Sequence, residues 1–322
     1  MALHPLRQTL SKPLNDGGQN ISSHLDHLWC PVATKLRPST QPYFSKFFKW
    51  ELLMDEYQQF FFDLYGYLVV ENALTPEEVD ACNEAIDNNP DQMRIRSSEQ
   101  SLSGTSTTLK GKHGRGDLGG MLTWPKPYCQ PFRDLLAHPK IVPYLVELLR
   151  EDCRLDHLYG IVMEKGAEGH TLHGGGTADD LTHFYQFHNG RMRCGLTVVS
   201  WVLTDCNPGE GGFACIPGSH KANYKTPRDV ALLDKNIGVV QQVSAKAGSA
   251  IIFTEALTHG TMPWTADHQR RSILYKYAPG VLTYSSRYVP PQIEDVLDEF
   301  TPEQRALLEP PYRTNRPKVT GA

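Results

Sequence analysis

The chain has 322 residues, 40% of them hydrophobic and 21% charged, with a formal net charge of −4 at pH 7. That length and mix give a packed globular core and exclude a disordered or collagen-like chain. The balance of charge and the lack of a Lys/Arg-rich run argue against nucleic acid as a partner, and no window approaches the roughly 18 apolar residues of a membrane span.

Seven cysteines, an odd number with no Cys-x-x-Cys pair, fit reduced thiols in a cytoplasmic protein better than a disulfide framework. The first 15 residues carry Arg7 and Lys12 and no acid before Asp16, so a transit segment is the alternative. Residues 1–50 are polar and proline-rich and are read as an N-terminal extension. Residues 51–288 are read as the main domain and 289–322 as a C-terminal tail.

In chain order, Leu52, Leu53, Tyr57, Phe60, Phe61 and Leu64 recur at helical spacing, which predicts a helix over 51–65 ended by Gly66. Tyr67–Val70 reads as a strand. Thr75-Pro76-Glu77-Glu78 combines an N-cap, a first-turn proline and first-turn acids, a strong helix start. Residues 91–120 have no clear period and read as a long loop, either a binding lid or a surface excursion. Its basic stretch Lys110–Arg115 either meets an anionic substrate or is a solvated face. Residues 129–150 read as helical, with Pro139 opening the second part, and Leu155–Met163 as a strand. Thereafter the texture is strand and turn: 195–205, 212–216, 241–244, 250–257 and 272–277. Glu294–Leu308 reads as a helix. Short strands after N-terminal helices predict a mainly β fold with flanking helices, an antiparallel two-sheet barrel.

The chemistry concentrates in Ile252–Tyr277. An apolar run ends in His259, and Arg270-Arg271-Ser272 opens the next run. Ferrous iron can be held by two histidines and one carboxylate with open positions. His173, in Leu172-His173-Gly174-Gly175-Gly176, is the favoured upstream partner, with His183 and His188 as alternatives. Alternation along a strand puts Arg270 and Ser272 on one face, a guanidinium fork and a hydroxyl suited to a buried carboxylate. Arg271 points the other way.

Several motifs resemble those of the phytanoyl-CoA dioxygenase family. They are His259-Gly260-Thr261 followed by Arg270, Trp201-Val-Leu-Thr-Asp205, Gly211-Gly212-Phe213, and Ile216-Pro217-Gly218-Ser219-His220. Gly66–Val70 before a Thr-Pro-Glu-Glu-Val helix is similar to the way that family opens its domain. The resemblance covers about residues 50–285. It implies a double-stranded β-helix (a jelly-roll, cupin-like barrel), Fe(II), and 2-oxoglutarate as co-substrate. It makes His259 the distal iron ligand and Arg270 the partner of the far 2-oxoglutarate carboxylate, with Ser272 and Thr261 beside it and Trp201 lining the pocket. No catalytic residue beyond the metal site is implied.

The departure lies in the proximal motif. The family carries His-x-Asp, and no histidine here is followed two places on by Asp. With His173 as ligand, Gly175 stands in the carboxylate slot. Asp179 or Asp180 then supplies the third ligand, with Asp180 favoured, or a halide fills the gap, or the metal binds weakly. The expected activity is 2-oxoglutarate-dependent hydroxylation, or halogenation, of a small organic substrate. The rival reading is a catalytically silent barrel that binds a small carboxylate or serves as a scaffold. The substrate and the oligomeric state are not legible.

Overall fold

The structure is a computed structural model that describes residues 54–175, 181–284, 293–311 and 315–321. One compact unit runs from Lys49 to Ala322. The expected extension, residues 1–50, lies outside the described residues.

Helix α1 (Glu56–Tyr65) starts where Asp55 accepts from the Gln58 amide and Gln58 reaches back to the Asp55 amide, a reciprocal capping box. Gly66, at φ 81°, ends it and turns the chain into strand β1 (Tyr67–Val70). The expected core face is not the buried one: Tyr57, Phe60 and Leu64 are exposed and Phe61 half-buried, Leu52 and Leu53 lie outside the described residues, and the buried residue is Phe62, which the expected spacing left out. Helix α2 (Pro76–Asp87) begins at the predicted Thr75 cap, with Glu78 completing a second capping box. Val79, Cys82, Ala85 and Ile86 form its buried face, at the positions that a 3.6-residue period selects.

The expected loop 91–120 is not all loop. It contains strands β2 (Met93–Ile95) and β3 (Gly116–Leu118), each too short to show a period, which pair with one another. Helices α3 (Gln130–Leu136) and α4 (Val142–Leu149) follow; the second starts three residues after Pro139. Strand β4 (Arg154–Met163) runs beside β3. The remaining strands are β5 (His170–His173), β6 (Tyr185–His188), β7 (Arg191–Cys194), β8 (Thr197–Val202) and β9 (Gly212–Cys215). After the short helix α5 (Arg228–Ala231) come β10 (Gln241–Gln242), β11 (Ala250–Thr254), β12 (His259–Met262) and β13 (Arg270–Ala278). The expected helix 294–308 is a 3₁₀ segment, Glu294–Glu299, then α6 (Pro302–Leu308), restarted by a Thr301 cap. Phe300, Leu307 and Val319 from this C-terminal stretch join the hydrophobic core.

Two antiparallel sheets face each other. The larger has the order β1-β11-β8-β13-β4-β3-β2 and the smaller β10-β9-β12-β5, with β6-β7 a separate hairpin. The jelly-roll expectation holds. Residues alternate faces along each strand, so the larger sheet has two cores. One face packs with the helices through Trp201, Ile273, Tyr275 and Tyr277. The other faces the small sheet through Ile161, Met163, Val198, Leu274 and Phe253, which meet Phe213 of β9. The Phe213 and Phe253 rings meet across the sheets at 4.6 Å. Among the described residues no helix is long and apolar enough to cross a membrane.

His220, from the Pro-Gly-Ser-His turn, ties this turn to α1 by a 3.0 Å contact of Nε2 with the Asp63 carbonyl. Burial pushes its pKa down to about 4 from the ordinary 6.5. A group that protonates less readily folded than unfolded gives stability that is fully present above pH 6.5 and lost as the pH falls toward 4. The metal-free protein should therefore lose melting temperature across that window. His220→Gln, which keeps a donor near the Nε2 position, should show a shallower loss by thermal denaturation at stepped pH.

Candidate metal centre

Strands β12 and β5 pair directly at His259 and His173. On the other side of β12, Cys215 lies opposite His259 and Phe213 opposite Thr261, so His259 and Thr261 look into the space between the sheets. Between these positions β5 carries one extra residue, so that Thr261 pairs with His170. This bulge brings His170 and His173, three apart in sequence, to one side. Their ring centroids are 4.2 Å apart, and those of His173 and His259 4.3 Å.

The carboxylate comes from Glu255. It sits in the turn after β11, where its amide is held by the Leu196 carbonyl and Leu257 closes back on Thr254. Its side chain is buried, and Oε2 lies 3.8 Å from His259 Nε2. One ligand atom each of His173, Glu255 and His259 lies within 4.8 Å of the other two. The two imidazoles are oriented alike. His259 Nδ1 contacts the Leu257 carbonyl at 2.7 Å, and His173 Nδ1 contacts the Thr171 carbonyl at 2.9 Å. A backbone carbonyl can only accept, so Nδ1 carries the proton in both rings and Nε2 keeps its lone pair, as a metal ligand requires.

The electrostatics suit a cation. Burial, then the neighbouring His173, lowers the His259 pKa to about 3, and burial lowers that of His173. Both rings are neutral near pH 7, so no proton need be displaced from Nε2. Burial alone would raise the Glu255 carboxyl. His259, Lys276 and His173 outweigh it and hold the group below the usual carboxylate range. With both imidazoles neutral, the standing counter-charge is Lys276, whose Nζ lies 2.6 Å from Oε1. Burial lowers the Lys276 pKa and Glu255 more than restores it. One oxygen of Glu255 is thus committed to Lys276, and the other faces the histidines.

Gly174 and Gly175 have a steric reason. A Cβ on Gly174, at φ 76°, would stand 2.5 Å from the Glu255 carbonyl and 2.6 Å from that of Leu257. Gly174→Ala should push this turn away, lowering both melting temperature and metal affinity, with thermal denaturation and metal titration as the readouts. Gly175, at φ 96°, has Thr258 Oγ1 3.2 Å from where a Cβ would lie, so the position is ill suited to the aspartate the family motif expects there. The Ile216–His220 turn braces the same region. The Ile216 amide donates to the Thr258 carbonyl, and the Thr258 amide donates to Ser219 Oγ at 2.8 Å.

Arg270 and Ser272 lie on the inner face of β13 with Leu274 and Lys276, while Arg271 turns outward to Asp87 at 2.6 Å. Arg270 is buried, with Gly212 leaving room beside its Nε, and it makes no ion pair among the described residues. Its nearest polar contact is Met163 Sδ at 3.5 Å. Ser272 Oγ is buried without a hydrogen-bond partner. Trp201 is a correction. It pairs with Ile273, which faces the helices, and packs against His138 with ring centroids 5.3 Å apart. One step of alternation takes it to the wrong side of the sheet for lining the pocket.

His183 stacks on Tyr284 and His188 is exposed at the end of the β6-β7 hairpin; neither joins the cluster. Asp179 and Asp180 lie outside the described residues. Glu255 is the site residue that sequence reasoning missed, although an acid within the apolar run 250–257, four residues before His259, is a visible signal.

Two histidines and a carboxylate converging inside a two-sheet barrel form a group that could hold a metal ion, the donor set of non-heme metal enzymes. The chain belongs to the phytanoyl-CoA dioxygenase family, whose model matches residues 62–272, and so to the oxygenases. Among solved structures, it is similar to HygX from Streptomyces hygroscopicus with nickel, 2-oxoglutarate and hygromycin B bound. The two share 21% identity over 72% of this chain and 90% of HygX, with a TM-score of 0.58. HygX is also known with iron bound. The chain is likewise similar to SnoK, a non-heme α-ketoglutarate-dependent carbocyclase from nogalamycin biosynthesis, at 17% identity over 77% of this chain and 91% of SnoK, with a TM-score of 0.51. No curated protein matches the chain.

Proposed function

We propose that this protein is an Fe(II)- and 2-oxoglutarate-dependent dioxygenase that hydroxylates a small organic substrate, and that His173, Glu255 and His259 are its metal ligands. The carrying observation is the triad itself, with Glu255 and His259 buried and His173 half-buried, one ligand atom of each within 4.8 Å of the other two, and both Nδ1 atoms engaged by backbone carbonyls so that Nε2 is left to bind. The donor set suits ferrous iron: two neutral imidazoles and one carboxylate, with positions left for other ligands. When bound, iron with 2-oxoglutarate and dioxygen would supply the oxidising chemistry: one oxygen atom ends in succinate as 2-oxoglutarate loses CO2, and the other ends in the hydroxylated substrate.

The chain's own contributions are positional. Lys276 keeps Glu255 ionised and occupies its second oxygen. Arg270 offers a buried guanidinium with no counter-charge among the described residues, and Ser272 a hydroxyl with no partner among them, on the same face. A buried unpaired cation is costly, and a dicarboxylate's far end is the partner that resolves it. Thr261 lies on the same side as His259. Phe213 and Phe253 pack against the His259 ring at centroid distances of 6.0 and 4.7 Å and shield it from water. With Glu255 available as the third ligand, neither a halide nor Asp180 is needed to complete the site, which favours hydroxylation over halogenation.

The test is an anaerobic titration of the protein with ferrous iron and then 2-oxoglutarate, watched for the weak visible metal-to-ligand charge-transfer band, followed by succinate assay in air. A band and succinate formation are expected. Failure to bind iron would leave the silent barrel as the reading.

A further inference from the structure

The basic loop residue Arg115 is not on the surface. The residue is 6% exposed, and it directly precedes β3 on the side of Asp117, which pairs with Ile161 of the inner core. The Arg96 amide donates to the Arg115 carbonyl, which extends the β2-β3 ladder and sets the two arginines side by side. Both lean on one carboxylate: Arg96 Nε lies 2.6 Å from Asp117 Oδ2 and Arg115 Nε 2.9 Å from Oδ1. Each contact uses Nε, so neither terminal guanidinium fork has an acceptor among the described residues.

This pair stands beside the metal triad. The half-buried His170 ring, with its centroid 4.2 Å from that of His173, lies within electrostatic reach of both guanidinium groups. The charge of Arg115 also acts on His173 and on Arg270. The Arg115 guanidinium carbon lies 5.9 Å from the Tyr159 ring centroid, and Lys276 Nζ lies 5.6 Å from the same ring. The His170 ring forms no hydrogen bond among the described residues. The four cationic side chains Arg96, Arg115, Arg270 and Lys276 have between them two carboxylates, Asp117 and Glu255, as ion-pair partners among the described residues. A divalent metal and dianionic 2-oxoglutarate cancel each other and leave that excess as it was.

We propose that the forks of Arg96 and Arg115, with His170 beside them, bind an oxyanion of the substrate, so that the substrate is a small acid bearing a carboxylate or phosphate group near the reacting centre. The inference rests on the metal and 2-oxoglutarate reading above. An Arg fork matches a carboxylate or phosphate through two parallel hydrogen bonds. Such an anchor fixes which substrate carbon faces the metal without occupying a metal position.

The test uses the full chain loaded with Mn(II) and saturating 2-oxoglutarate, with inorganic phosphate as the probe. Paramagnetic broadening of the phosphorus resonance reports phosphate held near the metal, and the same titration with carbon-13 acetate tells carboxylate preference from phosphate preference. Broadening is expected in the parent protein. It should weaken at least tenfold in apparent affinity in Arg115→Gln and in Arg96→Gln, while Mn(II) and 2-oxoglutarate affinities stay within about twofold. Arg96 is the more exposed of the two, so its variant remains informative if Arg115→Gln fails to fold. The proposal is overturned by no broadening with either probe, by broadening that survives both substitutions, by loss of the broadening as 2-oxoglutarate is raised, or by Arg115→Gln losing 2-oxoglutarate itself. Absence of Mn(II) binding is a different result and removes the metal reading instead.

Discussion

Glu255→Gln is expected to lower metal affinity by more than about 100-fold and to abolish turnover. Gln keeps the shape of the side chain but removes the charge that faces His173 and His259. Losses of 10- to 100-fold are typical when only a partner of a ligand is removed, and a ligand itself should matter more. The substitution also leaves Lys276 buried without its 2.6 Å counter-ion. Breaking one side of a buried pair costs about 3–5 kcal/mol, so the metal-free variant should melt lower. Lys276→Met gives the converse. It leaves Glu255 an uncompensated anion, so the metal-free protein should melt lower and gain more stability than the parent when metal is added. The double variant should recover stability but not metal binding. Calorimetric metal titration with thermal denaturation of all four proteins checks the cycle. Parent-like metal affinity in Glu255→Gln would mean that the carboxylate serves only the ion pair.

Arg270→Ala is expected to weaken 2-oxoglutarate binding by about 100-fold or more while leaving metal affinity in its absence unchanged. Truncating one partner of a buried, hydrogen-bonded charge pair costs about 2–5 kcal/mol. Arg270 is buried with no competing anion among the described residues, and the unsatisfied Ser272 hydroxyl lies on the same face of β13. Arg270→Lys should recover little, because an ammonium cannot reproduce the planar fork. Ser272→Ala should have a smaller effect in the same direction. Titration of the metal-loaded variants with 2-oxoglutarate measures this, and an unchanged dissociation constant in Arg270→Ala refutes the assignment.

The elements whose local chemistry is strong were readable from the chain alone. Thr75-Pro76-Glu77-Glu78 marks the start of α2 because cap, proline and first-turn acids all act within four residues. Tyr67–Val70 and the strand opened by Arg270 were legible because apolar runs meet clear turns, whereas the run expected over 250–257 and ending in His259 is β11, a turn that holds Glu255, and a separate strand β12 that begins at His259. What escaped depends on distant partners. Strands β2 and β3 are three residues each and exist because β4 pairs with β3. The exposed face of α1 carries the same period as a buried one, and only packing tells them apart. Trp201 was misplaced because its side follows from the register of β8 with β13, which local sequence does not state. Glu255 was overlooked because a fixed His-x-Asp spacing was sought after the upstream histidine. Here the carboxylate comes from the turn beside the downstream one, and the β5 bulge that gathers His170 has no sequence mark.

The most direct measurement is a crystal structure of the anaerobic protein with ferrous iron and 2-oxoglutarate. The account predicts one metal ion bonded to Nε2 of His173, Nε2 of His259 and a single oxygen of Glu255, with the other oxygen still on Lys276 and the far carboxylate of 2-oxoglutarate on Arg270. A metal ligated by Asp179, Asp180 or chloride in place of Glu255 would contradict it.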